Sequence, residues 1–300
     1  MKNIFFAGFM MLLVVATSGC TSFGGSNNEP ITYGSGLSII DFGSGYDYVS
    51  SGDTIDIVLK VQNLGDTTIE NVVAKPYRLS WVGYSSEQRC NQPQLYPPNE
   101  ELNRIGDPCT ITWKNVRVPE IGETETYTAG VRIYYDYATI TTAKVYALTE
   151  DAYKGMRERG VMPDTAKTIS NSRAPIVVDV LMDNVFIVGG SNDKIPVTLK
   201  FTNIDNGYPQ GDTSDPREFT IDSVKVESLG QNLVGSVDTS ECRNARLRGG
   251  KTGDCIVKIS PPHLSSGQDV ELTLKITTSY TYVLEKEEPI LVHQSLDSKR

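Results

Sequence analysis

The sequence predicts an all-β protein, built as two tandem antiparallel β-sandwiches with one short helix between them. Three observations carry this. The phrase "DTIDIVLKVQNLGD", residues 53–66, returns as "DKIPVTLKFTNIDN", residues 193–206, with identities at Asp53/Asp193, Ile55/Ile195, Leu59/Leu199, Lys60/Lys200 and Asn63/Asn203. In both copies apolar residues fall on every second position: Ile55, Ile57, Leu59 and Val61, then Ile195, Val197, Leu199 and Phe201. That is the period of a strand with one face buried. Helical periodicity is almost lacking, so nothing is at hand to cross over between parallel strands.

The elements follow in order. "GLSIIDF" and "PIVVDVLM" open the two halves with a short strand each. The signature strand comes next and closes at Asn63 or Asn203, where a turn begins. After Cys109 and Cys255 each copy has a strand, a Pro-to-Gly turn (Pro119–Gly122, Pro261–Gly267) and a longer alternating strand ending in Tyr-x-Tyr. In the first of these long strands Val131, Ile133 and Tyr135 face one way, and Arg132, Tyr134 and Asp136 the other. This gives about six or seven strands per half. The exception is "TEDAYKGMRERG", Thr149 to Gly160, with an N-cap residue at one end and Gly at the other, which reads as a helix. The domains are therefore 31–172 and 173–300, joined through "TISNSRAP" and separable near residues 170–175, where Pro175 disfavours helix before it.

Residues 1–20 are a targeting segment. Lys2 precedes an unbroken apolar run from Ile4 to Ala16, followed by "TSGC". The run is of signal-peptide length and shorter than the roughly 20 apolar residues that span a bilayer. "TSGC" resembles the lipobox of prokaryotic lipoproteins, with Gly19 before a lipid-modified Cys20; Thr17 departs from the Leu or Val usual in that family. Cleavage after Ser18 is the alternative, and it would release a soluble protein. Residues 21–30, "TSFGGSNNEP", are a flexible tether. The expected location is outside the cell, anchored to its membrane.

Five cysteines occur, at 20, 90, 109, 242 and 255. Lipidation of Cys20 removes the odd one and leaves two per half at matching places in the repeat. The pairs Cys90–Cys109 and Cys242–Cys255 are expected as disulfides, each contributing about 3 kcal/mol by restricting the unfolded chain. Zinc is excluded by the lack of Cys-x-x-Cys spacing and of nearby histidine.

Strand–turn phrases such as "IDIVLKVQNLGDTTIENV", in tandem behind a lipoprotein-like signal, resemble the CARDB-type and related immunoglobulin-like modules of archaeal and bacterial surface proteins. The resemblance implies an Ig-like sandwich used in adhesion or cell-envelope architecture. Two features depart from it: the disulfides are local, unlike the inter-sheet bridge of antibody domains, and the second half inserts "GYPQGDTSDPREF" after its signature strand.

Chemistry is sparse. The formal net charge of −9 has no basic stripe to meet phosphate, which argues against nucleic acid. Two histidines leave little for general-base work, and no nucleophile elbow, phosphate loop, HExxH or dinucleotide motif occurs. No cofactor is expected and no catalyst; Glu100–Glu101 and Glu287–Glu288 read as solvated surface. Three surface features remain. The segment closed by Cys90 and Cys109 presents Leu95 and Tyr96 among polar residues, either as a recognition loop or as a connection stapled for its own stability. Tyr134 is the exposed-face tyrosine that could stack on a sugar. Asp205, Asp212 and Asp215 surround Gly207 and Gly211, but their spacing misses the calcium-loop pattern. The functional expectation is contact with envelope proteins from a membrane anchor; a glycan- or peptide-binding module is the alternative.

Overall fold

The alternation in the repeated phrase becomes burial in space. The computed structural model describes residues 36–46, 48–161, 169–182, 185–189, 194–210, 218–229, 235–260 and 263–294. The first half contains β1 (Leu37–Gly43), β2 (Val49–Ser50), β3 (Thr54–Asn63), β4 (Ile69–Tyr77), β5 (Gln88–Arg89), β6 (Gln94–Leu95), β7 (Pro108–Arg117) and the long β8 (Glu125–Thr149). Ile55, Ile57, Leu59 and Val61 of β3 are all buried, and the residues between them reach solvent. The expected helix follows as α1 (Glu150–Glu158). Thr149 caps it by accepting from Ala152 N at 3.3 Å, and Gly160 ends it at φ 66°.

The second half begins with β9 (Ile169–Asn171), β10 (Ile176–Leu181), β11 (Val185–Val188), β12 (Ile195–Asn203) and β13 (Tyr208–Gln210). It continues with β14 (Thr220–Ile221), β15 (Ser223–Leu229), β16 (Val237–Asp238), β17 (Ala245–Arg246), β18 (Thr252–Ile259) and the long β19 (Asp269–His293). Sheet order repeats with the sequence: β1–β3–β7 in one half, β10–β12–β18 in the other, with β16 added at its edge. Most pairings are antiparallel; β11 on β8 and β2 on β19 are short parallel additions.

The halves do not carry separate second sheets. β8 and β19 pair with each other from Glu125↔Val292 to Leu148↔Asp269, with β4 on the outside of β8 and β15 on the outside of β19. A strand of 25 residues extends about 80 Å, which is longer than one small sandwich and so spans both. The expected division at 172/173 thus falls between two sequence repeats whose residues share one sheet and one continuous apolar core.

The long ladder is nearly symmetric about its middle. Tyr135 opposes Tyr282 and Tyr137 opposes Tyr280, and all four rings are buried together with centroids 5.8–6.3 Å apart. Burial pushes the Tyr135 and Tyr280 hydroxyls well above the usual phenol range.

The repeated asparagine has a structural reason in each copy. Asn63 Nδ2 donates to the carbonyls of Thr67 and Leu95 at 2.9 and 2.8 Å, and Asn63 Oδ1 accepts from Gly65 N. Asn203 does the same with Gly207 O, Gly250 O and Asp205 N. Each therefore ties its own turn to a loop from elsewhere in its half, and burying the amide satisfies backbone groups that no sheet reaches. The linker is fastened too: Arg173 donates to both Asp66 carboxylate oxygens, from N and from Nε, at 2.7 Å each.

Candidate functional site

Both expected disulfides are present, Cys90–Cys109 with Cα atoms 6.0 Å apart and Cys242–Cys255 with 5.1 Å. They fit an oxidising compartment. The first closes a hairpin bolted to the end of β3. Asn63 N donates to Asp107 O at 3.1 Å and Gln62 Nε2 to Gly106 O at 2.9 Å. Gly106 lies so close to the Asn63 carbonyl that a Cβ there would fall on it. Further out, Tyr96 and Asp107 exchange backbone and carboxylate bonds, Asn99 and Arg104 pair in both directions, and Asn103 turns the chain at φ 47°.

This geometry separates the two residues expected to act together. Leu95 is 0% exposed, paired in β6 against Ile69 of β4, and it packs in the core instead of meeting a partner. Tyr96 is 47% exposed, with the Arg104 guanidinium 5.6 Å above its ring. The apolar residues that do face solvent are Leu102, 71% exposed, and Ile105, 72% exposed, in a run from Glu100 to Ile105 that is exposed throughout. Sequence reasoning missed them because a Leu among Glu and Asn gives no sign of whether the loop folds back over it.

The second surface is the outer face of the long sheet in the first half. Cross-strand register places Lys75, Arg132 and Glu285 in one row, and Val73, Tyr134, Val283 and Tyr208 in the next. Arg132 Nε donates to Glu285 Oε1 at 2.8 Å, and Tyr208 Oη donates to the same oxygen at 3.0 Å. Tyr77 lies flat on Gly130, where a Cβ would come within 2.7 Å of its ring, and the Arg132 guanidinium sits 4.8 Å over that ring. The Tyr77 hydroxyl donates to Glu287 Oε1 at 2.9 Å. Lys75 Nζ stands 4.9 Å over Tyr134.

Electrostatics agree with a locked face. Burial and the Glu287 carboxylate push the Tyr77 hydroxyl up to about 12, and burial with Glu285 does the same for Tyr208. Glu285 raises Arg132 further through their hydrogen bond. Tyr134 stands where the alternation placed it, on the outer face and half-buried, opposite Val73 of β4, whereas Tyr96 follows β6, which pairs β4 at Ile69 and Glu70. Tyr77, Arg132, Lys75 and Tyr208 were not singled out from sequence. The available signal was Arg132-x-Tyr134 in strict alternation, together with Tyr77 ending its own strand.

Of the remaining candidates, Cys20, Asp212 and Asp215 lie outside the described residues. Asp205 accepts from Asn206 N at 2.7 Å within its turn, and no group of three metal-ligating side chains occurs among the described residues. Glu287 serves Tyr77 and Arg78, as a structural surface carboxylate does. His293 stacks on Tyr48, with ring centroids 4.3 Å apart and 7° between planes. No helix among the described residues is long and apolar enough to cross a membrane.

The sequence matches no family model, and no curated protein matches it significantly.

Proposed function

We propose that this chain is an exported, membrane-tethered surface protein that works by contact, and that the Tyr77–Arg132–Tyr134–Tyr208 face is where contact with another envelope protein is made. The observation that carries the proposal is the composition and rigidity of that face. Tyrosine and arginine are enriched among the residues that carry interface binding energy; tyrosine offers large area with only two torsions to fix, and an arginine costs little to order once it is already held. Here four such side chains are already held by Glu285, Glu287, Lys75 and Gly130 on a continuous sheet. The corresponding outer face of the second half pairs Lys144 with Glu271 and Lys225 with Glu227, with Tyr146 donating to Glu271.

The tether rests on the leader, the Gly19–Cys20 phrase and the spacer after it, with two disulfides in support of export. The repeated sheet order supports treating each half as an Ig-like module of the CARDB-type kind. A glycan ligand is the second reading, and Tyr134 is what favours it. Sugar stacking needs an open ring face, however, and Tyr77 and Tyr134 already have cations over theirs.

A photo-crosslinking amino acid in place of Tyr134 in the full chain tests this in intact cells. A discrete protein adduct, not formed from the same group at Ile256, is expected. Absence of any adduct at position 134, with binding to isolated envelope glycan, would overturn the protein-contact reading in favour of the glycan.

A further inference from the structure

The disulfide-closed hairpin is rooted beside the first described residue of the chain. The described chain begins at Gly36, whose carbonyl accepts from Leu64 N at 2.9 Å. The preceding residue, Asn63, bonds Asp107 at the hairpin root and holds Leu95 O through its side chain. Gly36 therefore lies beside the base of the hairpin whose outer run exposes Leu102 and Ile105.

We infer that this tip rests on the outer surface of the bilayer to which Cys20 is fixed. The inference depends on the tethered reading above and adds a second point of membrane contact to it. Three observations converge. Residues 21–35 separate Cys20 from Gly36, a segment of 15, and Gly/Ser-rich sequences of that length span roughly 20 Å on average. The hairpin root thus stays within a few nanometres of the lipid, at an effective concentration on the order of millimolar. A contact that is weak by itself becomes occupied under those conditions.

The tip is also stiff before it meets anything. Leu102 N donates to Asn99 Oδ1 at 2.9 Å, Asn99 and Arg104 close the hairpin, and Cys90–Cys109 closes the loop that carries it. Little conformational freedom is lost on docking. Finally, two large aliphatic side chains lie bare within a polar turn, and a single lipid attachment gains most from an additional apolar contact. Glu100 and Glu101 flank them and would be repelled by anionic headgroups, so the contact is apolar and does not need acidic lipid.

The test uses the full chain isolated from membranes and reconstituted in phosphatidylcholine vesicles with brominated acyl chains, which quench tryptophan at short range. Trp81 and Trp113 are buried and supply a constant background. Leu102→Trp is compared with Val82→Trp, an equally exposed position that bridges to Arg117 at the far end of β7 from the hairpin root. Emission from Leu102→Trp is expected to fall at least two-fold more than from Val82→Trp, and Ile105→Asp added to Leu102→Trp should remove the difference. Equal quenching of the two variants while the protein remains on the vesicles overturns the inference and leaves the tether standing. Release of the wild-type chain from the vesicles overturns the tether, and this inference with it.

Discussion

Asp136 and Thr281 face each other at the midpoint of the β8–β19 ladder, and Thr281 Oγ1 donates to Asp136 Oδ1 at 2.8 Å. Asn71 Nδ2 donates to the other carboxylate oxygen at 2.7 Å, and Asp222 Oδ2 accepts from Thr281 N at 3.0 Å. One residue from each repeat thus joins the two halves on the outer face, directly above the four buried tyrosines on the inner one. The relation is that of two partners in a dimer, written into a single chain.

This arrangement decides what separation should do. Residues 30–171 contain β8 without β19, and residues 173–300 contain β19 without β8, so each fragment bares a long strand edge ready to pair. The two fragments, mixed after separate expression, should form a stoichiometric complex by size-exclusion chromatography that melts above either one alone. Two monomeric fragments that melt independently and ignore each other would show that the ladder contributes little.

Tyrosines held on the sheet face and in the core set an alkaline limit. Folded Tyr77 and Tyr208 titrate near 12 and an unfolded tyrosine near 10, so folding favours the protonated form. Their contribution to stability is complete below about pH 10 and is lost as pH rises from there towards 12. Tyr84, Tyr135, Tyr137, Tyr280 and Tyr282 are raised as well, mainly by burial. The phenolate absorbance of these tyrosines should therefore appear only above pH 10, coincident with loss of β-type circular dichroism. A single step near 10 with the fold intact would contradict this.

Leu95 and Tyr96 should part company on substitution. Leu95→Ala removes a fully buried side chain and is expected to cost about 2–5 kcal/mol, read as a lower midpoint in urea. Tyr96→Ala, at a half-exposed position, should change the midpoint by about 0.5 kcal/mol or less. Equal effects would place both in the same environment.

Gly106→Ala should be as severe as Leu95→Ala, since the new methyl falls on the Asn63 carbonyl and pushes the hairpin off β3. Limited proteolysis is the sensitive readout, with cleavage between Glu100 and Ile105 before global unfolding. An unchanged cleavage pattern would mean that the hairpin root gives way without loss.

Cys20→Ser should shift the protein from the membrane fraction to the medium, as loss of an acyl anchor does. Retention in the membrane, with a mature N-terminus other than residue 20, would defeat the lipoprotein proposal.

Local pattern determined a good deal of this protein. Alternation in "DTIDIVLK" and "DKIPVTLK" fixed which residues of β3 and β12 are buried, because the strand period is two and one face must leave water. Thr149 and Gly160 bounded the helix, because caps act within one turn. Matching cysteine positions gave both disulfides, since each pair closes a loop inside its own repeat. What pairs with what across the halves was decided only in three dimensions. A 25-residue alternating strand looks the same in sequence whether it serves one sandwich or two, so β8 and β19 gave no sign of each other. Leu95 and Leu102 have the same side chain within one loop, and the pairing of Leu95 with Ile69, with the bond from Asn63 to its carbonyl, holds the first inward while the second stays bare. The Tyr77–Arg132 stack was equally hidden, because it requires register between β4 and β8, and register is set by the packing of the whole sheet.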